Sequence, residues 1–307
     1  MSGPVPGGTG PVPADLPPPP RRRPRRYSWR SLIVAAASTV TFFTVFALVV
    51  VNAPGWESVR RSFFDAEIFV DSLPDVVGGF GVNVRLFLIA EVLILALGLV
   101  LAVMRSLPGA VLYPVRLLAT AYVDLFRALP GLLVIYILGL GVPALRLPGV
   151  PNEPFFWGVV ALTLIYSAYV SEVYRAGIES VHPSQAAAAR SLGLTQLQAM
   201  RHVVLPQAVR RVIPPLLNDF IGLQKDTVLV SFIGVVEIFR ESQIEQTARF
   251  NFTPYLATAL VFLLLTIPLA RFTDWLIARQ RNRRPAAAQA NVRARRGRVI
   301  GWFGRNR

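Results

Sequence analysis

Five polar side chains lie inside stretches of the sequence that are otherwise apolar. They are Glu91 in the stretch 86–104, and Asn218, Lys225, Asp226 and Thr227 in the stretch 216–238. Such side chains are expensive inside a membrane, so they usually line a path for a polar solute or pair with one another. All five are therefore candidates for contact with a polar ligand. The alternatives are that Glu91 pairs with an arginine or a hydroxyl, and that Lys225 and Asp226 hold a subunit interface together.

Asp124 and Arg127 form a second polar group, in the apolar stretch 111–147. Residues three positions apart share one face of a helix. The spacing therefore predicts a structural ion pair between these two side chains. Pro130 follows closely and interrupts the apolar pattern of the stretch.

Sequence motifs for catalysis are missing. The sequence contains no P-loop, no HExxH motif, no nucleophile elbow and no paired metal carboxylates. Cysteine is absent, and the two histidines, His182 and His202, are too few for a histidine zinc cluster. We therefore expect no enzymatic activity, no metal site and no cofactor.

The composition indicates an integral membrane protein. Of the 307 residues, 53% are hydrophobic, which is high for a soluble protein. The formal net charge is +15, and nearly all the positive charge is arginine because Lys225 is the sole lysine. A basic balance can indicate nucleic-acid binding. Here the arginines are concentrated in 21–30 and after Asp274, which favours a cytoplasmic membrane face, with contact to anionic lipid as an alternative role for the first run.

Six apolar stretches are close to the roughly 20 residues that a helix needs to cross a bilayer. They are 31–51, 86–104, 111–147, 155–170, 216–238 and 254–277. Pro214-Pro215 is expected to break the chain before the fifth stretch, and 240–253 is expected to form a short outer loop after it. The sequence therefore predicts an all-α polytopic membrane protein with about six transmembrane helices and both termini in the cytoplasm. The first stretch follows arginines, as a signal peptide does, but its length and the poor cleavage site Asn52-Ala53-Pro54 favour an uncleaved helix.

A polar segment, 177–206, lies between the fourth and fifth stretches, on the side predicted to be cytoplasmic. Pro183 suits the first position of a helix, where its missing N–H has no partner to lose. Residues 185–192 include four consecutive alanines and are strong helix formers. Gly193 can supply the left-handed residue that ends this helix.

A second short helix is predicted to follow the first. Thr195 and Gln198 have the spacing of a capping box at its start. Leu205-Pro206 is expected to end it, because proline cannot continue the backbone hydrogen bonds of a helix. From spacing alone, the whole segment is an ordinary cytoplasmic helical loop.

The segment resembles the coupling loop of bacterial ABC importer permeases. The family pattern is Glu-Ala-Ala, three residues, Gly, nine residues and Ile-x-Leu-Pro. Here Ala187-Ala188-Ala189, Gly193 and Val203-Val204-Leu205-Pro206 stand in the matching positions. The departure is Ala187, where the family usually has Glu, so this loop lacks the salt bridge that a Glu could make but keeps the docking helix.

Three further segments resemble motifs of the polar amino-acid subfamily of these permeases. They are YVDLFRALP at 122–130, AYVSEVYRAGI at 168–178 and LQKDTVLVS at 223–231. The resemblance extends from about Phe64 to Arg279. It divides the chain into a disordered basic tail at 1–30, an extra transmembrane helix at 31–51, an extracytoplasmic segment at 52–80, a permease transmembrane domain at 81–280 and a basic cytoplasmic tail at 281–307.

The resemblance implies a permease subunit of an ATP-driven amino-acid importer in the bacterial cytoplasmic membrane. Its partners would be two cytoplasmic ATPases, a second permease that is identical or related, and an external amino-acid-binding protein. Two rival functions stay open. One is a stand-alone channel or secondary transporter, which would carry inverted repeats, and the other is a membrane scaffold that binds nucleic acid or lipid through its arginine tails.

The resemblance also assigns roles to residues. Those that would transmit force from the ATPase are Gln185, Ala187, Ala188, Ala189, Gly193, Leu205 and Pro206. The substrate path is predicted from charge instead, because the carboxylate and ammonium groups of an amino acid each need an opposite charge or hydrogen bonds in a low-dielectric site. Glu91 and Asp226 would suit the ammonium group, while Asn218, Lys225 and Thr227 would suit the carboxylate. Consecutive helical residues point about 100° apart, so Lys225 and Asp226 cannot both face one spot directly.

Overall fold

The computed structural model describes residues 29–107 and 109–303, with only the backbone described from 280 to 303. Regular structure in these ranges is helical throughout, which confirms the predicted all-α class. The predicted tail at 1–30 lies outside the described residues except for Trp29 and Arg30. The chain consists of two compact units, Met1–Glu57 and Ser58–Arg307.

Twelve α-helices are numbered here in chain order within the described residues. They are α1 Trp29–Val51, α2 Trp56–Phe63, α3 Ala66–Ser106, α4 Tyr113–Ala128, α5 Gly131–Tyr136, α6 Val142–Ala144, α7 Pro154–Glu179, α8 Pro183–Ser191, α9 Gln196–Ala199, α10 Leu205–Asp226, α11 Ile238–Arg249 and α12 Thr253–Phe303. Two π-helical turns, Ile137–Gly141 and Met200–Val204, and a 3₁₀ turn, Thr227–Ile233, join some of them directly.

Helix α1 belongs to the first unit, and every residue in it except the half-buried Val50 is exposed. Among the described residues of this unit its apolar side chains are thus left uncovered, as expected for a helix solvated by lipid. The hydroxyls of Ser38 and Thr39 donate to the Ala35 carbonyl, which satisfies them without another helix.

Four helical segments among the described residues are long and apolar enough to cross a membrane. They are Trp29–Val51, Trp56–Ser106, Pro154–Glu179 and Thr253–Arg279. A fifth arises if the pair Tyr113–Ala128 and Gly131–Ala144, bent by 105°, forms one span. The bend follows from Pro130, which pushes the preceding residue, Leu129, into an extended conformation at φ −80° and ψ 140°.

The predicted helix end at Leu205-Pro206 is wrong. The chain stays helical there, because the π-helical turn Met200–Val204 places the Leu205 N–H on the Met200 carbonyl. Pro206 then falls in the first turn of α10, where a proline needs no N–H partner.

The predicted break at Pro214-Pro215 is also wrong, because both prolines lie inside α10. Val212 packs against Gly177 on one side of the pair, and Leu223 is fully buried on the other. These tertiary contacts outweigh the local cost of two missing N–H groups.

The predicted fifth span, 216–238, is divided between several elements. Helix α10 ends at Asp226, and the 3₁₀ turn then ends at Gly234, which has φ +95°. The predicted outer loop 240–253 is mostly the helix α11, whose N-cap is Glu237. The segment 52–80 holds α2 and the start of α3, which continues unbroken through Pro74.

Helices α3 and α7 pack along one another and form the centre of the second unit. Leu86, Ile94, Leu162 and Leu223 are among the side chains buried between α3, α7 and α10. Gly98 lets α7 approach α3 closely, because a Cβ there would lie 2.7 Å from Val170 Cγ1. This core holds two polar networks, described below, one near the middle of α3 and one at its last turn.

Candidate functional site

The polar loop between α7 and α10 has the two predicted helices. Pro183 is the first residue of α8, and Gly193 follows its end at φ +91°, as the sequence predicts. The N-cap of α8 is His182, which the sequence analysis does not identify. The His182 ring accepts a hydrogen bond from the Ser184 N–H at 3.2 Å. The sequence signal for this cap is a histidine directly before Pro183-Ser184.

The predicted capping box opens α9. The Thr195 hydroxyl accepts from the Gln198 N–H at 3.3 Å, and the Gln198 side chain accepts from the Thr195 N–H at 2.9 Å. Two N–H groups that the helix itself leaves unpaired are thereby satisfied. The N-termini of α8 and α9 are therefore both stabilised by capping hydrogen bonds.

The loop is anchored to the bundle on one side. Val181, Val204 and Ala208 form a buried cluster, against which Ala186 packs. The Arg211 guanidinium donates to the Ser180 carbonyl. At the junction with α7, a Cβ on Gly177 would collide with Val212. These contacts make the loop and the start of α10 one rigid piece.

The side of α8 that faces away from the bundle carries most of the predicted coupling residues. Gln185, Ala187, Ala188 and Gly193 are exposed. Ala189 is 5% exposed and lies against the protein's own interior, so the prediction that it contacts a partner is wrong. Four consecutive alanines cannot all lie on one helix face.

Two exposed leucines on this loop were missed by the sequence analysis. Leu192 is 83% exposed and Leu197 is 77% exposed. Large apolar side chains in a polar loop are a signal for a contact surface, and that signal was present in the sequence. Leu205 and Pro206 are also exposed, in the first turn of α10.

The loop and its stem carry positive charge without acidic residues. From Ser180 to Asn218 the sequence has no Asp or Glu, and it has Arg190, Arg201, Arg210 and Arg211. Such a segment beside apolar spans is typical of the cytoplasmic side of a membrane.

The candidate ligand residues do not form one cluster. Asp226 accepts a hydrogen bond from the Tyr166 hydroxyl at 2.8 Å, whereas Lys225 and Asn218 are exposed. Glu91 is half-buried on α3. Asp219, which the sequence analysis does not assign to the path, is half-buried on α10.

Thr227 does not face a path, so its predicted contact with a ligand is wrong. Its side chain is fully buried, and its hydroxyl donates to the Gln224 carbonyl at 2.8 Å. The same oxygen accepts from Asn83 Nδ2 at 3.0 Å. Both of its hydrogen-bonding roles are therefore used within the fold.

Asn83 is the centre of what we term the amide network, which comprises Asn83, Thr227 and Glu237 with the backbone of Ile238. Asn83 Nδ2 donates to Thr227 and, at 2.9 Å, to Glu237 Oε2, and the Ile238 N–H donates to Asn83 Oδ1 at 3.1 Å. Glu237 Oε1 accepts from the Arg240 N–H at 2.9 Å. The side chains of Glu237 and Thr227 are fully buried, and Asn83 is 2% exposed.

Glu172 is the centre of a second set, the arginine network, which comprises Glu172, Arg105, Arg127 and Arg175. Glu172 Oε1 lies 2.7 Å from Arg105 Nη1 and 3.6 Å from Arg127 Nη1. Glu172 Oε2 lies 2.7 Å from Arg175 Nη2. The predicted pair of Asp124 with Arg127 is therefore wrong: within the described part of the chain, the carboxylate that meets Arg127 belongs to α7.

The comparisons with known proteins agree with one another. Residues 94–282 match the family described as "Binding-protein-dependent transport system inner membrane component". The probable glutamine ABC transporter permease protein GlnM of Bacillus subtilis is 40% identical over 196 residues, which cover 62% of this chain and 87% of that protein. The probable amino-acid ABC transporter permease protein PatM of Vibrio harveyi is 34% identical over 217 residues, covering 70% and 96%.

Two solved structures have the same fold. A crystal structure of an amino acid ABC transporter with histidines has a TM-score of 0.64 at 32% identity, covering 70% of this chain and 98% of that one. The methionine ABC transporter MetNI in an inward-facing conformation has a TM-score of 0.50 at 18% identity, which shows likeness of fold alone.

Proposed function

The chain belongs to the family of binding-protein-dependent transport system inner membrane components, and from this premise we propose that it is the permease subunit of an ATP-driven amino-acid importer. The observation that carries the proposal is the loop around α8: rigid, capped, basic and exposed on one side. The sequence has no P-loop, so the ATPase must be another chain.

The ATPase surface that we propose consists of Gln185, Ala187, Ala188, Leu192 and Leu197, with Gly193 making the turn between the two helices. The small alanines let a groove on the partner come close, while the two leucines supply apolar area that water would otherwise cover. Ala187 stands where the family pattern has Glu, so this contact depends on shape and apolar area more than on a salt bridge. Leu205 and Pro206 connect the loop to α10 and act as its stem.

The orientation in the membrane follows from this assignment. The loop and both termini lie in the cytoplasm, and α2 and α11 lie outside with the acidic segment 52–80. The arginine network then lies near the cytoplasmic face and the amide network near the outer face. Positive charge on the loop side supports this direction.

A polar path between α3, α7 and α10 would carry the amino acid. We assign contact with the substrate to Glu91, Asn218, Lys225 and Asp226, and add Asp219. Support comes from buried polar atoms that have no hydrogen-bond partner in the described part of the chain. They are Thr163 Oγ1, Ser171 Oγ, Asp219 Oδ2, Gln224 Nε2 and Ser231 Oγ. Polar atoms without partners are rare in a finished core.

Further partners follow from the family. An external binding protein would deliver the amino acid, and a second permease, identical or related, would complete the path. We propose that residues 81–280 form the transmembrane permease domain and that the extra helix at 31–51 lies outside it. The basic segment 281–307 is assigned to the cytoplasm as a tail.

The test is co-purification of the ATPase from the protein's own membranes in mild detergent, with identification by mass spectrometry. The variant is Leu192→Glu/Leu197→Glu. The matched control is Val111→Glu, because Val111 is 91% exposed in the loop between α3 and α4. We expect the unmodified chain and the control to retain an ATPase and the double variant to lose it.

Two outcomes would contradict the proposal. An unmodified chain that purifies without any ATPase would favour a channel or a scaffold. An ATPase retained equally by the double variant would show that the loop is not the docking surface. Deleting 285–307 separates the scaffold further, since a permease keeps amino-acid uptake without this tail and a scaffold loses its function.

A further inference from the structure

Glu172 joins three helices through its two carboxylate oxygens. One oxygen, Oε1, accepts from Arg105 of α3 at 2.7 Å and lies 3.6 Å from Arg127 of α4. The other, Oε2, accepts from Arg175 Nε at 3.1 Å and Nη2 at 2.7 Å, on its own helix. The carboxylate therefore has one side toward α3 and α4 and the other toward the end of α7.

Each arginine of the network lies close to the C-terminal end of its helix. Arg105 lies in the last turn of α3. Arg127 lies in the last turn of α4, directly before the 105° bend at Leu129-Pro130. Arg175 is also bonded to Glu179 at 2.6 Å, in the final turn of α7 and next to the loop around α8.

The contacts differ in how easily they can be exchanged. The Arg105 and Glu172 side chains are 12% and 20% exposed and are joined by a short, charge-assisted bond. Arg127 is 44% exposed, lies at 3.6 Å without a hydrogen bond, and has its guanidinium 5.9 Å from the centre of the Tyr169 ring. It is thus shared between two partners on α7, and a small shift exchanges one for the other.

We infer that Glu172 is a positioning residue of the transport cycle, which passes a displacement of the α8 loop to the bent span α4–α5 through Arg127. This inference depends on the proposed function. If Glu172 only held the three helices together, it would need a strong contact with each arginine. Here its strong bond to Arg105 is combined with a longer, exchangeable contact to Arg127. Allosteric coupling requires a contact that differs in strength between two states, and the longer contact to Arg127 is the one that can be made or lost while the Arg105 bond stays.

The experiment measures ATP hydrolysis and amino-acid uptake together, in proteoliposomes that contain the complete complex with its ATPase and binding protein. The variants are Glu172→Gln and Arg127→Gln. Asp124→Asn is the matched control, since Asp124 is an exposed carboxylate on α4 one turn before Arg127 and makes no ion pair with the arginine network among the described residues. We expect the uptake per ATP hydrolysed to fall about fivefold or more in both variants and to stay unchanged in the control.

Combining the variants sharpens the test. If Glu172 acts through Arg127, the double variant Glu172→Gln/Arg127→Gln loses no more coupling than Glu172→Gln alone. Where Glu172→Gln fails to assemble, Arg127→Gln by itself still decides the matter, because Arg127 is half exposed and its removal spares the Arg105 bond.

An unchanged ratio of uptake to hydrolysis in Arg127→Gln would overturn the inference, as would a loss of both activities in proportion, which is the mark of a structural staple. A complex of the unmodified chain that lacks an ATPase is a different result. It refutes the proposed function before any variant is made.

Discussion

Helix α3 is fixed to the bundle by opposite means at two points, near its middle at Asn83 and in its last turn at Arg105. The amide network surrounds one carboxylate, Glu237, with amide and backbone N–H donors and excludes water from it. The arginine network surrounds another carboxylate, Glu172, with three guanidinium groups and leaves it partly wet. A buried carboxylate that loses a donor has no solvent to replace it, whereas a wet ion pair can exchange its partners.

This difference suggests a division of labour. The amide network fixes the start of α11 onto α3, where a Cβ on Gly79 would lie 2.8 Å from the Ile238 nitrogen. The arginine network lies beside the bend in α4–α5 and at the end of α7 that leads into the loop around α8. We therefore expect the amide network to determine the stability of the fold. We expect the arginine network to determine the coupling of ATP hydrolysis to uptake.

The largest effect is expected from Asn83→Ala in the amide network. This change removes three hydrogen bonds and leaves the Glu237 carboxylate buried with one donor fewer, so we expect a loss of about 3 kcal/mol or more. Thermal unfolding of the purified protein in detergent measures it. Asn152→Ala, an exposed asparagine, is the control, and an equal melting temperature for both variants would contradict the division.

Gly193→Pro at the loop should abolish coupled uptake while the bundle stays folded. Proline cannot adopt the φ of +91° and cannot supply the N–H that donates to the Arg190 carbonyl at 3.0 Å. Uptake and ATP hydrolysis in proteoliposomes are the readouts. Gly109→Pro replaces a glycine of the same φ between α3 and α4 and should keep more uptake. Substrate-stimulated hydrolysis in Gly193→Pro at the unmodified level would refute the role of the turn.

Glu172→Gln in the arginine network should have a small effect on stability, of about 1 kcal/mol. Added salt screens exposed charges, so the difference from the unmodified chain should shrink at high ionic strength, while that of Asn83→Ala should persist. Unfolding midpoints at low and high salt provide the comparison. If Glu172→Gln lost as much stability as Asn83→Ala, and the loss were equally insensitive to salt, the proposed difference between the two networks would be wrong.

The smallest effect is expected at Glu241 of α11, near the amide network. Burial, with the neighbouring carboxylates of Asp75 and Glu245, raises the pKa of the Glu241 carboxyl. A folded-state pKa above the unfolded one means that stability is present at low pH and is lost as the pH rises through the folded pKa. Glu241→Gln should therefore raise the melting temperature slightly at pH 7 and not at about pH 4. An equal gain at both pH values would exclude the charge as its cause.

Local rules predicted the loop well. Pro183, Gly193 and the pair Thr195 and Gln198 act through their immediate neighbours, so the ends of α8 and α9 could be read from the sequence. The same rules failed at Pro206 and Pro214, where a π-helical turn and the packing of α10 against α7 outweigh the preference of proline to end a helix.

Long-range partners could not be predicted. The three-residue spacing predicts a pair of Asp124 with Arg127, but the carboxylate that meets Arg127 comes from α7. The position of Thr227 in a polar stretch predicts contact with a substrate, yet its hydroxyl bonds to Asn83, far away in the sequence. A single amide in an apolar stretch, such as Asn83, indicates nothing about its partners until the helices are packed.

We propose that this chain imports amino acids only when ATP is hydrolysed by a partner. The most direct measurement uses proteoliposomes that contain the complex from its own membranes, with binding protein outside and ATP inside. The probe is a mixture of labelled glutamate, glutamine, histidine and arginine. We predict that label accumulates with ATP and not with a non-hydrolysable analogue. Accumulation without ATP, driven by an ion gradient, would contradict the claim and identify a secondary transporter instead.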